Sequence, residues 1–155
     1  MIKDYIKENL IFIKESVSNR QALFEIASDK FYKEGYVTGE FKTYLSDRED
    51  HYPTGLALDG YAVAIPHGNP DQVKASFVSV ITLEQPIDMY KMDNPEEKVP
   101  VSLLFVLGLN DGNKHLTLLK EVIQLIQNKD FVEQLIQAQS KAEIIQLINQ
   151  ESIRA

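Results

Sequence analysis

The amino-acid sequence predicts an α/β fold: a single domain in which a mixed β-sheet carries helices on both faces. Three observations carry that expectation. β-Branched and apolar runs at residues 61–67, 77–83 and 99–108 are interleaved with segments of helical periodicity. The last run, Val101-Ser102-Leu103-Leu104-Phe105-Val106-Leu107, is apolar almost throughout, as a strand covered on both faces must be. No linker or low-complexity tract divides the 155 residues, and that length suits one domain with one sizeable core.

The elements follow in order. Leu10-Ile11-Phe12-Ile13 reads as a short edge strand. Ser18 with Gln21 three residues later forms a capping-box pattern, after which Leu23, Ile26, Ala27 and Phe31 recur at helical spacing and Gly35 is placed to end the helix. A second helix starts near Thr38, turns Phe41, Tyr44 and Leu45 inward, and holds Arg48 and Glu49 near its end. Tyr52-Pro53-Thr54-Gly55-Leu56 breaks it with turn chemistry. The strands over residues 61–67, 77–83 and 99–108 come next, with residues 84–100, which contain three prolines, expected mostly as loop. Asn110-Asp111-Gly112-Asn113 offers helix caps ahead of an apolar stripe of Leu116, Leu119, Ile123 and Ile126. A short helix over residues 130–139 follows, and Ser140 with Glu143 caps a last one carrying Ile144, Ile145 and Ile148.

Composition removes several function classes. A net charge of -7 argues against sequence-independent nucleic-acid binding, which needs a basic footprint. The absence of cysteine excludes disulfides, thiolate nucleophiles and Cys-ligated metals. No apolar run approaches a membrane span, and Met1-Ile2-Lys3-Asp4-Tyr5 lacks the apolar region of a signal peptide, so a cytoplasmic protein without membrane insertion is expected. With no Walker A pattern or Gly-rich loop after a strand, neither nucleotide nor other cofactor is expected.

The chemistry concentrates around Tyr61-Ala62-Val63-Ala64-Ile65-Pro66-His67-Gly68. Pro66 holds Ile65 extended and interrupts the ladder, while Gly68 lets the chain turn away and leaves room beside the imidazole. His67 is thereby presented at a sheet rim, fixed yet accessible, as a nucleophile must be. His115 falls in the first turn of the helix after the most buried strand, where unpaired N–H groups and the helix dipole favour an anion and a neutral imidazole. If the strands ending at His67 and Gly108 are neighbours, both histidines emerge at one edge. Arg48, at a helix end, can offer a planar fork to a phosphate. Each residue also has an ordinary structural role: a polar group at a core edge, a helix-initiating surface residue, a cation at a helix C-terminus. Glu49 is a solvated charge or orients the arginine, and His51 reads as a surface residue.

Arg48-Glu49, Thr54-Gly55, Ala64-Ile65-Pro66-His67-Gly68 and His115-Leu116 together resemble the fructose/mannitol-type enzyme IIA domain of the bacterial sugar phosphotransferase system. The resemblance runs from about Ala22 to Ile148 and implies a mannitol-type IIA fold. It further implies that His67 accepts a phosphoryl group from the phosphocarrier HPr and passes it to a cysteine of enzyme IIB. His115 and Arg48 are implied to assist, with no cofactor or metal. Mannitol and nitrogen-regulatory members have a shorter Gly-Asn-Gly-type stretch before Pro-His, whereas Leu56-Ala57-Leu58-Asp59-Gly60-Tyr61 stands here. Pro53-Thr54-Gly55-Leu56 looks more like the galactitol branch, which points to a hexitol such as galactitol. Two rivals were weighed. A metal-dependent hydrolase lacks any His-Glu-x-x-His spacing, and a regulatory module would use the same phosphohistidine to control a partner. HPr and IIB are expected to share one surface, with Leu56, Leu58 and Tyr61 as candidates for its centre, their ordinary role being to fill the core.

Overall fold

The computed structural model describes residues 1–154. Strands β1 (Phe12–Glu15), β2 (Gly55–Leu58), β3 (Tyr61–Ala64), β4 (Phe77–Tyr90) and β5 (Lys98–Gly108) form one sheet in the order β1-β4-β5-β3-β2. β1 runs parallel to β4 and β3 parallel to β5, while the β2/β3 and β4/β5 pairs are antiparallel. The sheet is therefore mixed, as the sequence predicted.

Helices α1 (Arg20–Lys33) and α2 (Phe41–His51) lie on one face, and α3 (Gly112–Leu125), α4 (Lys129–Gln137) and α5 (Lys141–Arg154) on the other. The pleat of β5 explains how one strand serves both layers. Leu103, Phe105 and Leu107 join the core under α3, α4 and α5, whereas Leu104 and Val106 join the core under α1 and α2. In β3, Val63 and Ala64 divide in the same way.

Several sequence expectations need correction. Asn19, not Ser18, caps α1: its Oδ1 accepts from Ala22 N–H at 2.8 Å, and an amide side chain one residue later competes successfully for the same role. Gly35 does end that segment, at φ +84°. Tyr44 points outward, because Phe41 and Leu45 already fill the inner face of α2. β2 was not foreseen, although Asp59-Gly60 between apolar runs is a hairpin signal and Gly60 adopts φ +84°.

The largest departure is the segment expected as loop. β4 continues to Tyr90 and β5 begins at Lys98, so the connection shrinks to residues 91–97. Pro86 falls within the register shift between Thr82 and Ile87, where no ladder donor is required of it. Pro100 pairs with Asp88 in the extension beyond the reach of β1 and β3, where a strand with an open side tolerates a missing N–H. Of the predicted stripe, Ile126 is buried and Leu119 and Ile123 pack against the core, but Leu116, at 54%, is exposed, and Leu118, Val122 and Leu125 are the buried residues of α3. The α5 cap matches the expectation, with Ser140 Oγ accepting from Glu143 N–H at 3.1 Å.

Candidate active site

Three elements converge at the C-terminal ends of the parallel strands β3 and β5. His67 follows β3 and pairs through its backbone with Leu107 of β5, whose N–H donates to the Pro66 carbonyl at 2.9 Å. Pro66 thus gives up its own donor but serves the sheet through its oxygen. Gly68 permits the exit: a Cβ there would lie 2.6 Å from Cε2 of the buried Phe41 ring. β5 leads directly into α3, whose first turn carries His115. The condition set by the sequence is met, since the strands are neighbours and the two imidazole rings lie 4.7 Å apart between centroids.

The tautomer of His67 can be read from geometry. Its Nδ1 lies 3.0 Å from the Ile65 carbonyl oxygen. A carbonyl can only accept, so Nδ1 carries the proton and Nε2 keeps a lone pair. Burial is the main cause that lowers the His67 pKa to about 4; the charges of His115 and Arg48 add to it, against the bond to Ile65. At neutral pH the ring is uncharged, with a lone pair on Nε2. His115, half-buried, is also held below its ordinary value, first by burial and then by Arg48. Its neutrality thus has a different main cause from the dipole invoked from sequence. The first turn of α3 is moreover already served, because Asp111 Oδ1 accepts from Asn113 N–H at 2.9 Å and from Lys114 N–H at 3.5 Å.

Arg48 lies in the last turn of α2, exposed, with its guanidinium carbon 5.7 Å from the Tyr52 ring centre. Its charge reaches both histidines. With Tyr44, Asp47, His51, Tyr52, Asn69 and Pro70 it lines an open cleft of about 320 Å³. His51 is exposed on that rim, its Nδ1 2.8 Å from the Asp47 carbonyl oxygen. The structure therefore brings His67, His115 and Arg48 together: a half-buried imidazole with a free Nε2, a second neutral imidazole and an exposed cation, a set suited to a phosphoryl dianion. No cluster of three or more His, Cys, Asp or Glu side chains able to hold a metal occurs among the described residues.

Two readings change. Glu49 does not sit in solvent, and its carboxylate is turned to Thr54 rather than to Arg48. At 3% exposure, its Oε2 accepts from Thr54 N–H and its Oε1 from Thr54 Oγ1, both at 2.8 Å. Sequence reasoning missed this because a glutamate at the end of a polar helix gives no sign of burial. Leu56, Leu58 and Tyr61 are half-buried against the core beneath α3, and Tyr61 Oη donates to the Ile126 carbonyl at 2.6 Å. Exposed apolar side chains are instead Leu116, next to His115 in the chain, and Tyr44 and Tyr52, which line the cleft with Arg48.

Residues 4–151 match the family described as phosphoenolpyruvate-dependent sugar phosphotransferase system, EIIA 2. The multiphosphoryl transfer protein of Escherichia coli O6:H1 is 26% identical over 91% of this chain, which spans 16% of that relative's length. The mannitol-specific phosphotransferase enzyme IIA component of Bacillus subtilis is 27% identical, covering 93% of this chain and 95% of its own. The galactitol-specific EIIA component of E. coli O6:H1 is also 27% identical, over 81% of this chain and 85% of its own. Among solved structures, nitrogen regulatory protein IIA-Ntr from Neisseria meningitidis superposes with a TM-score of 0.78 at 28% identity, covering 95% of this chain and 98% of the other. The E. coli enzyme IIA of mannitol, solved in complex with its phosphorylated enzyme IIB, shares the fold (TM-score 0.75, 20% identity, 92% and 95% covered). No helix among the described residues is long and apolar enough to cross a membrane.

Proposed function

This chain belongs to the EIIA 2 family of the phosphoenolpyruvate-dependent sugar phosphotransferase system, and on that premise we propose that His67 is its phosphoryl carrier. Family members are phosphotransferases that work through a phosphohistidine. The finer reading is a single IIA domain that accepts the group from phosphorylated HPr in the cytoplasm and passes it to a cysteine of an enzyme IIB.

The observation that carries this reading is the His67 Nδ1 bond to the Ile65 carbonyl, which leaves Nε2 free. The Nε2 lone pair attacks phosphorus in line while the bond from phosphorus to HPr breaks, its electron pair remaining with the carrier. The ring keeps its Nδ1 proton and gains positive charge, which the Ile65 carbonyl stabilises through a strengthened hydrogen bond. In the second step the IIB thiolate attacks phosphorus, the N–P pair returns to Nε2, and the imidazole leaves neutral. Such transfers have loose transition states, so alignment and charge do most of the work. Arg48 supplies the charge, and the neutral His115 supplies a nearby hydrogen-bonding group without repelling the positive charge that the His67 ring gains.

Incubation with enzyme I, HPr and phosphoenolpyruvate tests the proposal: one acid-labile phosphate should appear and be lost in His67→Ala. Wild-type labelling in that variant refutes it. Both partners must reach the same nitrogen, so HPr and IIB compete, and Leu116, Tyr44 and Tyr52 are the apolar residues placed to meet them. A stable ternary complex would overturn the shared surface. Galactitol is the proposed sugar on the Pro53-Thr54-Gly55-Leu56 stretch, and equal identity to mannitol and galactitol relatives makes growth on each hexitol the deciding assay. A second reading, a regulatory phosphohistidine module, draws on the likeness to the Neisseria nitrogen regulatory protein. Transfer of label to a IIB cysteine separates the two.

A further inference from the structure

Glu49 is a buried carboxylate that the phosphoryl chemistry does not use. Such a group is costly unless its oxygens are paired, and here both are given to one residue: the backbone N–H and the hydroxyl of Thr54. The connection continues. The Thr54 carbonyl accepts from Ile65 N–H at 3.3 Å, and the carbonyl on the other side of Ile65 accepts the His67 Nδ1 proton at 3.0 Å. Glu49 is therefore three bonded partners away from the nucleophile. It lies on α2, and its carboxylate ties that helix to Thr54, at the entry of β2, whose partner strand β3 leads to His67. Burial raises the Glu49 pKa, the two Thr54 bonds and Arg20 oppose that rise, and Asp50 adds to it.

We propose that Glu49 is a positioning residue for phosphoryl transfer: through Thr54 and Ile65 it keeps the His67 proton on Nδ1. This rests on His67 being the phosphoryl acceptor. A side chain that only filled space at the end of α2 would not need two acceptor atoms directed at one residue. Nor would it govern the protonation pattern of a ring it never touches.

The test uses the full chain with Glu49→Gln, Glu49→Ala and Thr54→Val, each first shown to be folded by its amide NMR spectrum. Two quantities are read: the ring ¹⁵N shifts of unphosphorylated His67, which report the tautomer, and the rate of labelling by phosphorylated HPr. Glutamine can still accept from Thr54 N–H and donate to its hydroxyl, so Glu49→Gln should keep the Nδ1–H tautomer and a rate near wild type. Glu49→Ala leaves Thr54 N–H without its partner and should slow labelling roughly ten- to a hundredfold, with a mixed tautomer. Thr54→Val, which loses one of the two bonds, should fall between. If Glu49→Ala does not fold, Thr54→Val decides. A wild-type ring spectrum together with a wild-type rate in Thr54→Val, or in a folded Glu49→Ala, overturns the proposal. So does a Glu49→Gln variant as slow as Glu49→Ala. The ring spectrum needs no phosphoryl donor, so failure of the wild-type protein to label on His67 would sink the acceptor reading separately.

Discussion

Acidification should charge His67 only near pH 4, and the consequence is measurable in both stability and rate. The displacement of its pKa from 6.5 to about 4 corresponds to about 3 kcal/mol in favour of the neutral ring. The sign follows from linkage. In the unfolded chain the ring protonates near its ordinary value, while the folded ring resists, so between pH 6.5 and 4 the unfolded state binds more protons. This group's contribution is therefore fully present above pH 6.5, declines as pH falls, and is gone once pH passes about 4. Urea unfolding of the wild type and of His67→Gln, compared across that window, isolates it from the many carboxylates. The wild type should lose about 3 kcal/mol relative to the variant, and the labelling rate should hold down to pH 5 if the donor is kept intact. A ring ¹⁵N titration gives the midpoint directly. A midpoint near 6.5, with no pH-dependent difference between the two proteins, would refute the inference that burial keeps this nucleophile neutral.

Three further outcomes are expected. His115→Ala should still take phosphate, more slowly, but hand it poorly to IIB; complete loss of labelling in a folded His115→Ala protein would exchange the roles of the two histidines. Arg48→Ala should slow transfer roughly ten- to a hundredfold through loss of about 1.5–3 kcal/mol of charge-assisted bonding, and Arg48→Lys should restore little of it because lysine lacks the planar fork; wild-type kinetics in Arg48→Lys would show that a diffuse charge suffices. Gly68→Ala drives a methyl into Phe41, whose ring is enclosed by Phe31 and Phe77 at 6.0 and 6.2 Å, so a loss of about 1–3 kcal/mol in denaturant melts is expected.

The histidines and the arginine were legible because Pro-His-Gly after an apolar run, a first-turn His and a helix-end Arg each have a local signature. Their convergence depended on β3 and β5 being neighbours, which no local pattern states. The burial of Glu49 was hidden for a related reason. Its partner Thr54 lies five residues ahead, across a Tyr52-Pro53 turn, and periodicity does not count acceptors. The strands over residues 84–100 were hidden by their prolines: a missing N–H argues against a central strand but is harmless at a register shift or an open side. On α3 the predicted stripe holds at Ile126, which is buried, and at Leu119 and Ile123, which pack against the core; it fails at Leu116, which is exposed, and omits Leu118, Val122 and Leu125. Leu116 stands beside the half-buried His115 at the edge of the core, where the stripe gives way to solvent.

If His67 carries the phosphoryl group as proposed, its parallel pairing with Leu107 divides the entropic burden of the transfer unevenly between it and Arg48. The nucleophile loses its backbone freedom once, when the sheet forms, and every later turnover finds it already aligned. Arg48 stands on an exposed helix end, so its long side chain must be ordered afresh each time a dianion arrives. Substitutions that stiffen the arginine's surroundings should therefore change the temperature dependence of transfer through its activation entropy. Substitutions in the sheet beneath His67 should instead be felt as thermal stability of the whole protein, with the intrinsic reactivity of the surviving folded molecules left intact.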